Sequence, residues 1–288
     1  MQQKFTTLLA LLFLLPLTSV NAELSRRIPI RDPLAADRTY FVRPDGDDAN
    51  SGLIDDATGA FRTIQKAVNV VSEDLDLGEF DVTIQIADGV YTSGVWLRPW
   101  LSSGSEVVLR GNVASPSSVL IDLTTPGETG GCCFYSGGGR QVWRIEGVKM
   151  QTSAPGGACI KADYSEVVFS NVVFGAATDF HVFAANHGKV FAAGSYSIVG
   201  PAKRHLYAIQ SVILLSPAAT VSLVGTPSFA WHFAASESCG VIDVTGVSFS
   251  GPATGARYYV TLNGVIKAFG TILPGNAAGI ADFGGQYR

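Results

Sequence analysis

Between residues 181 and 258 the chain repeats a small set of side chains able to do chemistry. His181, Arg204, Trp231 and Arg257 recur at a nearly even spacing. His205, His232 and Tyr258 stand directly behind the last three, and Tyr207 lies two residues beyond His205. Aromatic faces beside Arg and His donors suit a sugar ring, which offers apolar C–H faces and hydroxyls together, and Arg adds attraction for an acidic glycan. The same residues would also make an ordinary polar ladder on a long strand face. As a zinc site, His205 and His232 lack a third ligand of the right type in their columns. The candidate glycan-binding patch is therefore His181, Arg204, His205, Tyr207, Trp231, His232, Arg257 and Tyr258, with no catalytic residue and no metal assigned.

Whether these residues meet depends on the elements that carry them. From Phe80 onward short β-type runs follow one another, such as "FDVTIQIADGVYT", "SEVVLRGN", "QVWRIEGVKMQTS" and "SEVVFSNVVFGA", separated by Gly, Pro, Ser, Asn and Thr. Alternating apolar residues within them, and 32 glycines, give an all-β chain. The second half divides into coils beginning at Ala158, His181, Arg204, Trp231 and Arg257, a step within the period range of solenoids and other arrays. A four-stranded propeller blade needs about 40 residues, so the shorter period favours a solenoid. The reading is a parallel β-helix with coils of about 23–27 residues.

Stacking the coils aligns Ile160, Phe183, Leu206, Phe233 and Tyr259, with Ala162, Ala185, Ala208, Ala235 and Thr261 two positions later. Residues two apart on a strand share a face, so both columns are expected inside, and His205 and His232 outside and side by side. A further column of small turn residues comprises Ser165, Gly188, Ser211, Ser238 and Gly264.

A solenoid leaves an open end that must be covered. Near residues 60–72, Phe61, Ile64, Ala67, Val68 and Val71 fall on one helical face, with Thr58 or Gly59 as starts, so a capping α-helix is expected there. Ahead of it, Asp45, Asp47, Asp48 and Asn50 do not fit the spacing of a calcium loop and read as a solvated turn. Trp96, Trp100 and Trp143 are expected to serve packing, the first two beneath the cap.

With 47% apolar and 15% charged residues the chain is a folded one. Residues 1–22 read as a secretory signal: Lys4, an apolar run from Phe5 to Leu17, and small residues at Val20-Asn21-Ala22. The run is shorter than the roughly 20 residues a membrane span needs, so a secreted, periplasmic or cell-surface protein without a stable span is expected. Removing that segment takes one basic residue and no acidic one, leaving 19 basic against 24 acidic. That balance disfavours a nucleic-acid track. Residues 23–38 are charged and proline-bearing, as in a linker or loose arm, and residues 39–288 form one β-helix domain. Cys133 falls about one coil before Cys159, which in an exported chain suggests a bridge between them, while Cys239 reads as a buried free thiol.

The segments "YFVRPDGDDANSG", "AFRTIQKAV" and "VTIQIADGVYT" together resemble the N-terminal part of right-handed parallel β-helix proteins of the pectate-lyase-like superfamily. The ending "ARYYVTLNGVIKAFGTILPGNAAGIADFGGQY" is similar to the C-termini of phage, prophage and bacterial β-helix proteins of the tail-fibre or tailspike-like kind. The resemblance covers roughly Thr39 to Tyr287. It implies a right-handed helix, an N-terminal cap and, as in fibre-like relatives, a homotrimer. It does not imply one activity, since the superfamily holds lyases, hydrolases, esterases, epimerases and non-catalytic fibres. The segments "LRPW" (97–100) and "TDFHVF" (178–183) occur in the wrong order for the esterase pattern. A lyase of this kind would need acidic residues around calcium with a Lys or Arg base, so calcium enters only with that activity. A glycosidase needs two carboxylates roughly 5–9.5 Å apart, and Asp163, Asp179, Glu237 and Asp243 do not align that way in the register above. The expectation is an exported β-helix that binds a polysaccharide or other surface polymer without turning it over. The alternatives are a lyase or glycoside hydrolase acting on that polymer, and a purely structural solenoid. No cofactor is expected.

Overall fold

The computed structural model describes residues 31–102 and 104–288. The leader read over residues 1–22, and the arm as far as residue 30, lie outside the described residues. Strands alternate buried and half-buried positions, as in Val82–Ile86 and Val119–Leu123, and every registered strand pair is parallel. They assemble into sheets of ten, eight and seven strands, to which successive turns contribute in order. Ala158–Asp163, Glu166–Ser170 and Val173–Ala177 make one such turn, and Phe180–Ala185, Lys189–Ala192 and Tyr196–Ile198 the next. The fold is a parallel β-solenoid of about eight turns. No helix among the described residues is long and apolar enough to cross a membrane.

The interior is a stack of like residues. In the ten-stranded sheet Ile84, Leu109, Ile145, Phe169, Ala192 and Leu215 are successive register partners, all buried. Each large aliphatic side chain so buried stabilises the fold by about 1.5–3 kcal/mol, offset by the entropy of ordering the chain. Trp143 lies in the same core, its indole N–H donating to the Arg98 carbonyl at 3.0 Å and its ring edge-on to Trp100.

A sharp corner between the eight- and ten-stranded sheets explains the small-residue column. Ser165, Gly188, Ser211, Gly240 and Gly264 stand one residue before the register partners Glu166, Lys189, Val212, Val241 and Val265. Each faces a carbonyl of the preceding turn. Ser165 and Ser211 donate their hydroxyls to Ser136 O and Ala184 O at 2.8 and 2.7 Å. At Gly188 and Gly240 a Cβ would come within 2.3 and 2.4 Å of Ala162 O and Ala208 O. Gly240 holds the place assigned from sequence to Ser238, which lies two residues earlier in the left-handed region.

The N-terminal end is closed by the helix Ile64–Asn69, which runs on as a π-type turn, Val70–Asp74. Thr63 is the N-cap and accepts from the Lys66 amide, so the helix begins later than Thr58 or Gly59. Ile64, Ala67, Val68 and Val71 are buried against the first turn, while Phe61 precedes the helix and bridges to Val42. Gln65 treats the edge strand Val95–Leu97 as a neighbouring strand would. Its side chain accepts from Trp96 N at 2.6 Å and donates to Trp96 O at 3.2 Å, satisfying an edge that otherwise invites pairing. The acidic turn serves the same cap: Asp48 accepts from the Arg62 and Thr63 amides and the Thr63 hydroxyl. Of the expected arm, Asp32–Pro33 pairs with Leu75–Asp76, and Arg31 donates to Ser72 O and Leu75 O. That end of the arm is fastened to the cap.

Candidate binding face

The register of the eight-stranded sheet differs from the sequence alignment by one residue in three of the five coils. Ile160 pairs with Val182, Val182 with Leu206, Leu206 with Ala234 and Ala234 with Tyr258. Phe183, Phe233 and Tyr259 were each expected in this column and stand one residue away from it. The physical reason is that two consecutive residues turn inward at one corner. His181 with Val182, His205 with Leu206, and Phe233 with Ala234 are all fully buried, which breaks simple alternation.

Two members of the expected patch therefore leave the surface. His181 and His205 lie inside the solenoid on adjacent turns, packed by Phe174, Phe229 and, for His205, Phe233. His181 Nε2 is 2.8 Å from Gly175 O, His181 Nδ1 is 3.1 Å from His205 Nδ1, and His205 Nε2 is 2.8 Å from the Tyr196 hydroxyl. Because a carbonyl only accepts, the network assigns one direction throughout: Tyr196 O–H to His205, His205 Nδ1–H to His181, and His181 Nε2–H to Gly175 O. Both imidazoles are neutral, with burial holding His181 down to about 4 and His205 well below its ordinary value. Tyr258 is partly buried and stacks on Tyr287 at 3.9 Å, and Arg257 is exposed near the last turn.

The other four lie together on the outer side of the sheet, with Trp231 exposed, His232 half-buried, and Arg204 and Tyr207 buried beneath their neighbours. Arg204 and His232 are register partners, and the Arg204 guanidinium lies between the rings of Tyr207 and Trp231, 4.0 and 4.7 Å from their centroids. Glu237 accepts from Arg204 at 3.3 Å and from the Tyr207 hydroxyl at 3.1 Å. Lys203 also reaches over Trp231 and pairs with Asp179. Burial, with Glu237 beside it, pushes the Tyr207 phenol up to about 12, and burial beside Arg204 lowers His232. His232 stacks on Tyr259, 5.2 Å between centroids.

The correct register reveals a longer row. Trp96, Tyr135, Lys161, Phe183, Tyr207, Ala235 and Tyr259 are successive partners on the outer face of the sheet. Phe183 stacks on Tyr207 at 5.0 Å, Phe180 packs beside both, and the Lys161 ammonium sits between Tyr135 and Phe183 at 5.3 and 5.4 Å. Phe183 and Glu237 were missed because a one-residue slip moves a whole strand to the opposite face, whereas Tyr135 precedes the aligned coils and Lys161 stands in a coil whose register held. The signal was present as an aromatic residue in five of the seven strands, at Trp96, Tyr135, Phe183, Tyr207 and Tyr259, though not at one fixed position within them. Trp96, assigned to packing, is half-exposed at the head of the row, whereas Trp100 is buried as expected.

Carboxylates on this face are widely spaced. Asp163 and Glu237 share a column but are separated by three turns, about 14 Å at the usual strand spacing, beyond the reach of a paired glycosidase mechanism. Asp243 belongs to the ten-stranded sheet, 3.9 Å from Lys267. Among the described residues, no group of three or more His, Cys, Asp and Glu is arranged to hold a metal ion.

The chain matches no family model, no curated protein and no solved structure. Of the likeness read from the sequence, what stands is the parallel β-solenoid itself.

The cysteines are all free thiols. Cys133 and Cys159 stand on adjacent turns as aligned but are not bridged: their thiols donate to Gln151 O and Met150 O at 3.2 and 3.5 Å. Burial, with Cys159 alongside, raises Cys133 well above its ordinary value. Cys239, expected inside, is exposed at a left-handed corner.

Proposed function

We propose that the chain is an exported, right-handed β-helix of the fibre- or tailspike-like kind that holds a polysaccharide along its eight-stranded face without cleaving it. The observation that supports this reading best is the outward row Trp96, Tyr135, Phe183, Tyr207 and Tyr259, interleaved by Lys161 and flanked by Arg204, Trp231 and His232. The half-exposed rings of Trp96, Tyr135, Phe183 and Tyr259, with exposed Trp231 beside them, offer apolar surface to a chain of rings, with hydroxyls met by the Lys, Arg and His donors around them. Export rests on the leader pattern of residues 1–22, and a homotrimer on the fibre-like ending.

The test is retention and turnover together. The chain beginning at Glu23 is passed over neutral and acidic polysaccharides, with and without calcium, while reducing and unsaturated ends are followed. Retention without new ends is expected. The contact of Tyr207 and Arg204 with Glu237 supports a second reading, a polysaccharide lyase or glycosidase: new ends that disappear in Glu237→Gln would establish it and overturn the first. Neither retention nor new ends would leave a structural solenoid.

A further inference from the structure

The aromatic row stops abruptly at the cap. Trp96 belongs to Val95–Leu97, the terminal strand of its sheet, and Gln65 of the capping helix closes the edge of that strand. The row therefore offers no aromatic contact beyond Trp96. Two contiguous clefts open there, of about 320 and about 300 Å³, sharing Thr63, Gln65, Thr92 and Ser93. Each is at the small end of the range for a small-molecule site, roughly 300–1,000 Å³.

We infer that the cleft beside Trp96 is a separate subsite for one terminal sugar ring, neutral or amino-bearing, at the end of the bound polymer. This inference rests on the polysaccharide reading. Its first support is that Trp96 is common to the row and to the larger cleft, so one indole serves both. Its second is the chemistry of the lining. The side-chain hydroxyls of Thr92, Ser93 and Thr125 have no hydrogen-bond partner among the described residues. A hydroxylated ring engages such groups while its apolar face lies on the indole.

Charge then selects among rings. Glu128 is the one charged residue lining this cleft, and it has no ion-pair partner among the described residues. It repels a uronic acid and attracts an ammonium group, whereas the cations further along the face, Lys161, Lys203 and Arg204, are each paired with a carboxylate. The cleft and the row therefore differ in the sugars they favour.

The test is saturation-transfer NMR on the chain beginning at Glu23, using methyl glucoside, galactoside, mannoside, glucosaminide and glucuronide as probes. At least one neutral or amino glycoside should give signal and the glucuronide none. Ser93→Trp and Thr125→Trp, both at exposed loop positions, should each reduce that signal at least tenfold with thermal unfolding unchanged. Phe183→Ala should leave it intact while weakening polysaccharide retention. Glu128→Gln should admit the glucuronide. The inference is overturned if no probe gives signal, if the glucuronide binds the unaltered protein as well as the neutral probes do, or if the signal survives both tryptophan variants. Glycoside binding without polysaccharide retention would overturn the polymer reading and leave the cleft as a monosaccharide site; retention without glycoside binding would do the reverse.

Discussion

His205 hands its Nδ1 hydrogen to Nδ1 of His181 across 3.1 Å, one turn away in the interior of the solenoid. With Tyr196 donating into one end and Gly175 O accepting at the other, every nitrogen of the pair is satisfied by neutral rings. A proton added to His181 would set N–H against N–H. The rings packed against the pair are Phe174, Phe229 and Phe233, and burial, not a neighbouring carboxylate, sets the low pKa of both histidines.

Acid should therefore destabilise the fold through these two residues. Their folded-state pKa values lie below the unfolded value near 6.5, so between about 6.5 and about 4 the unfolded chain binds more protons. Stability is fully present above 6.5 and is lost as pH falls, by up to about 1.4 kcal/mol per pH unit for each histidine. Chemical denaturation from pH 8 to 4.5 should show this slope, and His181→Gln should reduce it. A profile flat between 6.5 and 4.5 would show that the pair does not control the transition. Asp45 and Asp56, whose pKa values are lowered by Arg43 and by Thr58 respectively, act only at still lower pH.

Truncating the row should weaken polymer retention without unfolding the chain. Phe183→Ala removes a half-exposed ring stacked on Tyr207, with an expected loss of about tenfold in affinity, or about 1.4 kcal/mol. Affinity electrophoresis in polysaccharide-containing gels reads this directly. His205→Phe should leave retention unchanged, since that residue is interior; an equal loss in both variants would point to an indirect effect.

The corner column gives a sharper stability contrast. Gly188→Ala and Gly240→Ala each push a methyl group against a carbonyl of the preceding turn and should cost about 1–3 kcal/mol. Ser211→Ala removes only a hydroxyl from Ala184 O and should cost nearer about 1 kcal/mol. Urea midpoints order the three. Equal costs would show that the corner relaxes to accept a methyl group.

Thiol labelling should distinguish one cysteine from three. Cys239 is exposed and should react within the native state, while Cys132, Cys133 and Cys159 should react only once denaturant opens the core. Burial also suppresses the reactive thiolate of Cys132, raised to about 11. Alkylation followed by mass mapping, without reductant, counts them; protection of Cys133 and Cys159 even in denaturant would indicate a bridge.

Much of the architecture was legible in the sequence, because it depends on quantities that recur. A repeating coil length, small residues at a corner and an apolar stripe from Ile64 to Val71 each reflect a local requirement: a strand length, a close carbonyl, a buried helical face. The sites were less legible. Arg204, Tyr207, Trp231 and His232 were found as a group on the outer side of the sheet, but His181 and His205 were drawn into it by assuming strict alternation along the strand.

The sequence by itself thus determined a stacked parallel β-fold and the rough positions of its turns, since backbone pairing and apolar burial leave few other ways to fold such a repeat. Only the tertiary structure decided which side chains share a face. At the corner before Leu206 two neighbours, His205 and Leu206, both turn inward, so a residue that strict alternation sends outside lies in the core. That departure places the histidine pair in the core, while the pairing of successive strands aligns Trp96, Tyr135, Phe183, Tyr207 and Tyr259 along the outer side.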